Sequence, residues 1–507
     1  MSSVAENNAI NNVVTKPVKL SSKLEEHIQI IKELKQYPSK HYAFIGADWG
    51  DEGKGKVVYA YSLDPKDNII LGVRYNGTGN AGHTIYVKDP NSDNLNKCVT
   101  HIIPCTLLAQ DDKCGYIYSN CLIDIKKMIS ELRELFNNNL NIKGKLYISK
   151  ACQVILQDHI DLDNKTNTVG TTGVGNGPAN SDKATREGIR IEDFKIYDSD
   201  EVFEKQLESR KIKFDKDNLR ELRKLLIDAQ KTYEFNIVDH STFWTKSFLQ
   251  ICKEYKANHP NQTEFNVAFE GAQGMKLDIN KAEEYPYCTS STCGFGGCVD
   301  AGLTYNKESQ VVLICKLYST YVGSMTYTPD IEIDMMISTL LQIIGGEYGA
   351  TTGRNRQCNY LDLYGLVKHL KNEHATHCVI NKIDIYHELV RRLHSTDPED
   401  HKFESTKNDA KKRVIENEAF KINFEKLHNI VQNNKQIHLY KLIVGEKDEN
   451  GNPELATFYK LSEMINYIKY VFEQSNQDIK LVLSSNPNDL SFNINLLNEP
   501  YLDEESV

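Results

Sequence analysis

Gly46-Ala47-Asp48-Trp49-Gly50-Asp51-Glu52-Gly53-Lys54-Gly55-Lys56 follows directly on the short apolar run Tyr42 to Ile45. From Gly50 the pattern G-x-x-x-x-G-K is met through Lys56, but Val57 stands where a Walker loop carries the Ser or Thr that holds Mg²⁺. A loop of backbone N–H groups and lysines still cradles a nucleotide phosphate without that hydroxyl. The metal then needs another hard oxygen, and Asp51 inside the loop offers one. Alone, the same residues also describe a glycine-rich surface turn, so the remaining loops have to decide.

Val379-Ile380-Asn381-Lys382-Ile383-Asp384 ends a candidate strand in N-K-x-D. A carboxylate there accepts both the N1–H and the exocyclic amine of guanine, a fork that adenine does not match. A third cluster runs from Arg74 to Thr84 and includes Asn76, Gly77, Gly79, Asn80, Ala81, Gly82 and His83. Its glycines let backbone approach a ligand closely, and His83 is a candidate general acid or stabiliser of phosphoryl charge. The alternative for His83 is a hydrogen-bonded loop histidine with no chemistry. Four further loops are rich in Gly, Thr and Ser: 169–178, 269–274, 285–291 and 348–356, the last with Arg354 and Arg356. Arginine supplies a planar fork for phosphate or carboxylate, and so many such loops in one chain imply a large polyanionic ligand set.

The ordered set W-G-D-E-G-K-G-K (49–56), N-A-G-H-T (80–84), G-T-T-G (170–173), E-G-A-Q-G (270–274), Y-P-Y-x-T-S-S (285–291), G-A-T-T-G-R (349–354) and K-I-D (382–384) resembles the adenylosuccinate synthetase family over about residues 40–490. The resemblance implies condensation of IMP with L-aspartate, driven by GTP with one Mg²⁺ per subunit, giving adenylosuccinate, GDP and phosphate. It implies Asp51, Lys54 and His83 as the catalytic residues, with Asp51 and the Gly82 carbonyl on the metal. GTP contacts are implied at Gly50, Asp51, Glu52, Gly53, Lys54, Gly55, Lys56, Gly82, His83, Thr84, Arg356, Lys382, Ile383, Asp384, Ser484, Ser485 and Asn486. IMP falls to Asp51, Lys54, Asn80, Ala81, Gly82, His83, Thr172, Arg186, Gln273, Thr289 and Arg354, and aspartate to Thr351, Thr352 and Arg354. Arg186 matches a residue lent by a neighbouring subunit, so a homodimer is implied.

Four positions depart from the family pattern. Asp48 replaces a common Gln, Val174 stands where Arg often follows G-T-T-G, 322–329 loses a G-P-x-P character, and Asn486 replaces a Gly. Two rival readings remain at this level: a regulatory GTPase, and a related ligase acting on a guanine nucleotide. The missing Walker hydroxyl and the Thr- and Arg-rich loops fit a simple switch poorly.

These loops need a scaffold. Candidate strands are 42–45, 69–75, 145–148, 266–269, 311–318, 377–380 and 479–483, each a short apolar run of the kind a buried parallel strand shows. Helical periodicity lies between them, in 124–136 and 218–233. The expected fold is α/β: a large, mainly parallel central sheet flanked by helices, P-loop-NTPase-like, with helical subdomains inserted. A leader and a helix capped by Ser22 and Glu25 occupy 1–39. The catalytic domain spans 40–490, with 192–262 and 394–440 as peripheral insertions, the second poor in apolar anchors, and 491–507 as a tail.

A net charge of −10 in 507 residues argues against nucleic acid as the main partner. The twelve cysteines include no C-x-x-C, so reduced thiols are expected rather than a disulfide framework or zinc site. The polar N-terminus and the lack of a membrane-length apolar run point to a cytoplasmic protein.

Overall fold

A computed structural model describes residues 21–79, 81–88, 95–109, 112–166, 170–209, 213–329, 331–349, 353–401, 418–434, 436–449, 451–475, 479–485 and 490. Its centre is a nine-stranded sheet: β1 (His41–Gly46), β2 (Ile69–Arg74), β3 (Cys114–Ile117), β4 (Leu146–Ser149), β5 (Asn236–Val238), β6 (Asn266–Gly274), β7 (Gln310–Lys316), β8 (His377–Asn381) and β9 (Lys480–Leu483). The spatial order is β9-β8-β7-β1-β6-β2-β3-β4-β5, and every pairing is parallel.

All seven expected strands lie in this sheet. β3 and β5 escaped the sequence reading because four and three residues give too little periodicity to separate a strand from a loop. The expected strand 311–318 divides instead. β7 ends at Lys316, and Tyr318–Tyr321 joins a separate four-stranded sheet with Gln357–Asp362, Tyr440–Lys447 and Pro453–Phe458.

The apolar runs are continuous because both faces are covered. Along β1, Ala43 and Ile45 enter one core while Tyr42 and Phe44 enter the other. Helix Ile125–Asn137 buries Ile125, Met128, Leu132 and Leu135 on one face, as its spacing predicts. The helix before the sheet starts at Ser22, but its cap is Ser21, whose Oγ accepts from Leu24 N at 3.3 Å. Within 394–440, helix Glu418–Asn433 sends Phe420, Phe424, Leu427 and Val431 into the main core, more apolar anchoring than its composition suggested. Similarly, 192–262 contributes the edge strand β5.

Chain direction across the sheet reverses at β1, with β2 to β5 on one side and β7 to β9 on the other. In open α/β sheets, ligands bind beyond the carboxyl ends of strands at such a reversal. The glycine loop leaves β1 there, Arg74 ends β2, Glu270 to Gly274 end β6, and Asn381 ends β8.

Candidate active site

The glycine loop turns through left-handed backbone at Gly50 (φ 92°), Asp51 (φ 60°) and Gly53 (φ 88°) before helix Lys54–Leu63 begins. Aspartate tolerates that region better than most residues, so Asp51 holds the turn while presenting its carboxylate, which is one-third exposed. Glu52 points inward: its Oε1 accepts from Gly50 N (2.8 Å) and Asp48 N (3.2 Å), and its Oε2 pairs with Lys54 Nζ. The loop is therefore braced by its own buried carboxylate. At Gly55 a Cβ would come within 2.6 Å of the His83 Cβ, so only glycine lets the start of this helix press against the histidine.

His83 opens a hairpin strand, His83–Lys88, paired with Leu95–Thr100. Its Nδ1 meets Glu270 Oε1 at 2.5 Å, and Arg74 Nη1 donates to the same oxygen at 2.7 Å. All three side chains are buried. Burial is the largest single influence on Glu270 and opposes its ionisation, but the Arg74 guanidinium, His83 and Cys105 together outweigh it and hold the carboxyl down at about 2. Burial, aided by Arg74, pushes His83 down to about 4, so the imidazole is neutral near pH 7. Nδ1–H then donates to Glu270, leaving a lone pair on Nε2, which is buried without a hydrogen-bond partner. Such an orphaned acceptor marks a position built for a ligand. Cys105 also faces this group, its backbone N donating to Glu270 Oε2 (2.7 Å). His83, Cys105 and Glu270 together have the donor types of a metal site. The Arg74 cation, 3.0 Å from His83 Nδ1, already fills that space.

The N-K-x-D segment reaches the glycine loop directly. Asn381 Nδ2 donates to the Glu52 carbonyl (2.8 Å), and Lys56 Nζ donates to Ser484 Oγ just beyond β9 (2.7 Å). Lys382 caps helix Ile383–His394 in left-handed backbone, which places Asp384 in the first turn. Burial raises the Asp384 carboxyl above its usual range.

A family description reading Adenylosuccinate synthetase matches residues 43–394, more than half of the chain. The chain belongs to the adenylosuccinate synthetase family. The synthetase of Thermodesulfovibrio yellowstonii is 34% identical over 351 residues, covering 67% of this chain and 76% of the relative. That of Finegoldia magna is 31% identical over 426 residues, covering 80% and 96%. The fold also resembles that of a fully ligated adenylosuccinate synthetase from Plasmodium falciparum, with a TM-score of 0.60 at 22% identity, covering 88% of this chain and 97% of that one. The chain is thus a C–N-bond-forming ligase of purine nucleotide synthesis, joining L-aspartate to IMP with GTP.

Of the residues the resemblance implied, Asp51, Lys54, Lys56, His83, Gln273, Lys382 and Ser484 gather at the carboxyl edge of the sheet, with Asn381 beside them. Gln273 receives Asn76 Nδ2 at 3.4 Å, and Asn76 Oδ1 accepts from Ala272 N at 2.8 Å. Arg354 Nη1 donates to the Gly170 carbonyl (3.0 Å), joining its own segment to the G-T-T-G loop. Asp163 supports that second loop, accepting from Thr171 Oγ1 and Gly175 N, each at 2.9 Å. The 285–291 loop is tied in by Thr289 N to the Leu277 carbonyl (2.8 Å) and by Ser290 Oγ, which accepts from Asn180 Nδ2 (2.7 Å). Arg356 ion-pairs with Asp51, Nε to Oδ2, at 2.8 Å.

Arg186 stands apart. It is exposed at the left-handed end of helix Asn176–Thr185 and lines a surface cavity of about 160 Å³ with Gln153, Lys183 and Arg190. Asn80, Thr351, Thr352 and Asn486 lie outside the described residues. Sequence reasoning missed the supporting roles of Arg74 and Glu270, although both stand inside motifs it singled out, and it missed Glu347 altogether. It also left unexplained Asp48, which is buried against Lys276 (3.1 Å), itself bound to Asp362 (2.8 Å).

Proposed function

We propose that this ligase works by way of a 6-phosphorylated IMP, with Asp51, Lys54 and His83 as its catalytic residues. The C6 carbonyl of IMP is a poor electrophile. Asp51 takes the N1 proton while O6 attacks the γ-phosphorus of GTP, and the bond to the β,γ-bridging oxygen breaks to release GDP. The aspartate amine then adds at C6 and loses a proton, and the phosphorylated oxygen departs as phosphate. The unpartnered Nε2 of buried His83 carries this reading. An acceptor nitrogen held in place by Glu270 takes up a proton as phosphoryl negative charge arrives, and the imidazolium then steadies that charge. Lys54, three residues after Asp51 at the start of its helix and paired with Glu52, supplies a second cation there.

The Asp51 carboxylate already faces a cation, the Arg356 guanidinium, and its hard oxygens suit Mg²⁺ together with the Gly82 carbonyl. Bound there, the ion supplies charge neutralisation for the nucleotide phosphates. Asp384 reads guanine, Arg356 and the loop amides hold GTP, and Arg354 with Thr351 and Thr352 holds L-aspartate. Asn80, Ala81, Thr172, Gln273 and Thr289 hold IMP. Arg186, turned outward, serves the IMP phosphate of a partner in a homodimer. No described helix is long and apolar enough to cross a membrane.

Incubation with IMP, aspartate, GTP and Mg²⁺, omitting each in turn, tests the reading by the ultraviolet change as the base gains a 6-amino substituent. Phosphate release that ignores IMP favours the regulatory GTPase instead.

A further inference from the structure

Glu347 lies just before the Gly/Thr loop, with no solvent exposure. Its Oε1 accepts from Lys382 Nζ (2.6 Å) and Tyr318 OH (2.7 Å) and pairs with Lys316 Nζ (3.2 Å), while its Oε2 accepts from Arg356 Nη1 (2.7 Å). The Glu347 carbonyl also receives Arg356 N at 3.0 Å, so these two residues are joined through backbone and side chain. Against burial, the three cations hold this carboxyl well below the usual carboxylate range.

A buried ion cluster is weak evidence for stability, because apolar residues of the same volume often fill such space as well. The identity of the partners is more telling. Lys382 comes from the guanine-side motif and stays about one-third exposed, while Arg356 comes from a different segment and reaches on to Asp51 in the phosphate loop. One rigid carboxylate therefore fixes two cations side by side, one from the guanine-side motif and one that reaches the phosphate loop. Lys316 lies behind them, fully buried, and its other partner is Thr320 Oγ1 (2.6 Å).

We propose that Glu347 is a positioning residue for the guanine nucleotide, holding Lys382 and Arg356 in register so that base and phosphates are engaged together. This rests on the guanine-site reading above. Pre-set side chains cost less ordering entropy when the ligand arrives, so the effect falls on nucleotide affinity.

The test uses the full-length protein and titration calorimetry with GDP alone, beside steady-state kinetics. Glu347→Gln is expected to weaken GDP binding about tenfold or more, the scale of a lost hydrogen bond to a charged group. KM for GTP should rise in parallel, with KM for IMP nearly unchanged. Because the Gln variant leaves buried cations unbalanced, a second variant, Glu347→Gln with Lys316→Met, removes one of them. It should regain thermal stability while GDP binding stays weak. Wild-type GDP affinity in either folded variant overturns the proposal. A wild-type protein that binds GDP but does not act on IMP sinks the proposed reaction and leaves Glu347 to be judged by GDP affinity; one that binds no GDP removes the guanine site and this proposal with it.

Discussion

Nδ1 of His83 and Oε1 of Glu270 meet 2.5 Å apart in a site closed to solvent, with Arg74 completing the group. The carboxylate fixes which imidazole nitrogen carries the proton, and so which one faces the ligand. Glu270→Gln keeps the shape but removes the charge. Breaking a buried pair costs about 3–5 kcal/mol of stability, so a lower melting temperature is expected and kinetics are read on folded protein. There, kcat for IMP-dependent phosphate release should fall about a hundredfold, within the range of lost acid–base assistance. A kcat near wild type removes Glu270 from the histidine's support.

Asp51→Ala removes the proposed base and one of the two carboxylate partners of Arg356 together. IMP-dependent turnover should drop by about 10²- to 10⁴-fold, while GDP binding survives through the loop amides and Asp384. Substantial residual turnover in a quenched-flow phosphate assay assigns the N1 proton to another group.

Asp384→Asn exchanges an acceptor for a donor at the proposed guanine site. Guanine loses its fork, and xanthine, with an oxygen at position 2, gains a partner. Competition between GTP and xanthosine triphosphate should shift toward the latter; unchanged preference places base recognition elsewhere.

Acid stability follows from the buried histidines. Burial pushes His41, His83 and His369 down to about 4 from an ordinary 6.5. The unfolded chain therefore binds more protons in between, so their contribution is complete above pH 6.5 and is lost as pH falls toward 4. Melting temperature should decline across that window. His41 lies outside the proposed chemistry, its Nδ1 accepting from Thr304 N (2.8 Å), so His41→Gln should flatten the decline without changing its direction. An equally steep decline in that variant counts against His41 as a contributor.

On the proposed homodimer, Arg186→Ala and His83→Ala proteins should each be nearly inactive. Mixed and allowed to exchange subunits, half the dimers become hybrids with one intact site, restoring about a quarter of wild-type activity. No recovery, with exchange verified, returns Arg186 to its own subunit.

The sequence alone carried the residues proposed to face the ligands. Glycines with required backbone angles, the carboxylate of Asp51 and the N-K-x-D acceptor are local requirements, written in short contiguous stretches. It also marked seven of the nine sheet strands, since a strand buried on both faces must be a continuous apolar run. Two short strands, β3 inside the sheet and β5 at its edge, the departure of Tyr318–Tyr321 to a second sheet and the core contacts of Glu418–Asn433 depend on distant partners that no local pattern encodes. For the same reason, only the folded chain set Glu270 against His83, 187 residues apart, and Arg356 against Asp51. Whether a histidine is charged, or a carboxylate braces a loop rather than meeting a ligand, follows from burial and neighbouring charge. Those are decided by tertiary packing.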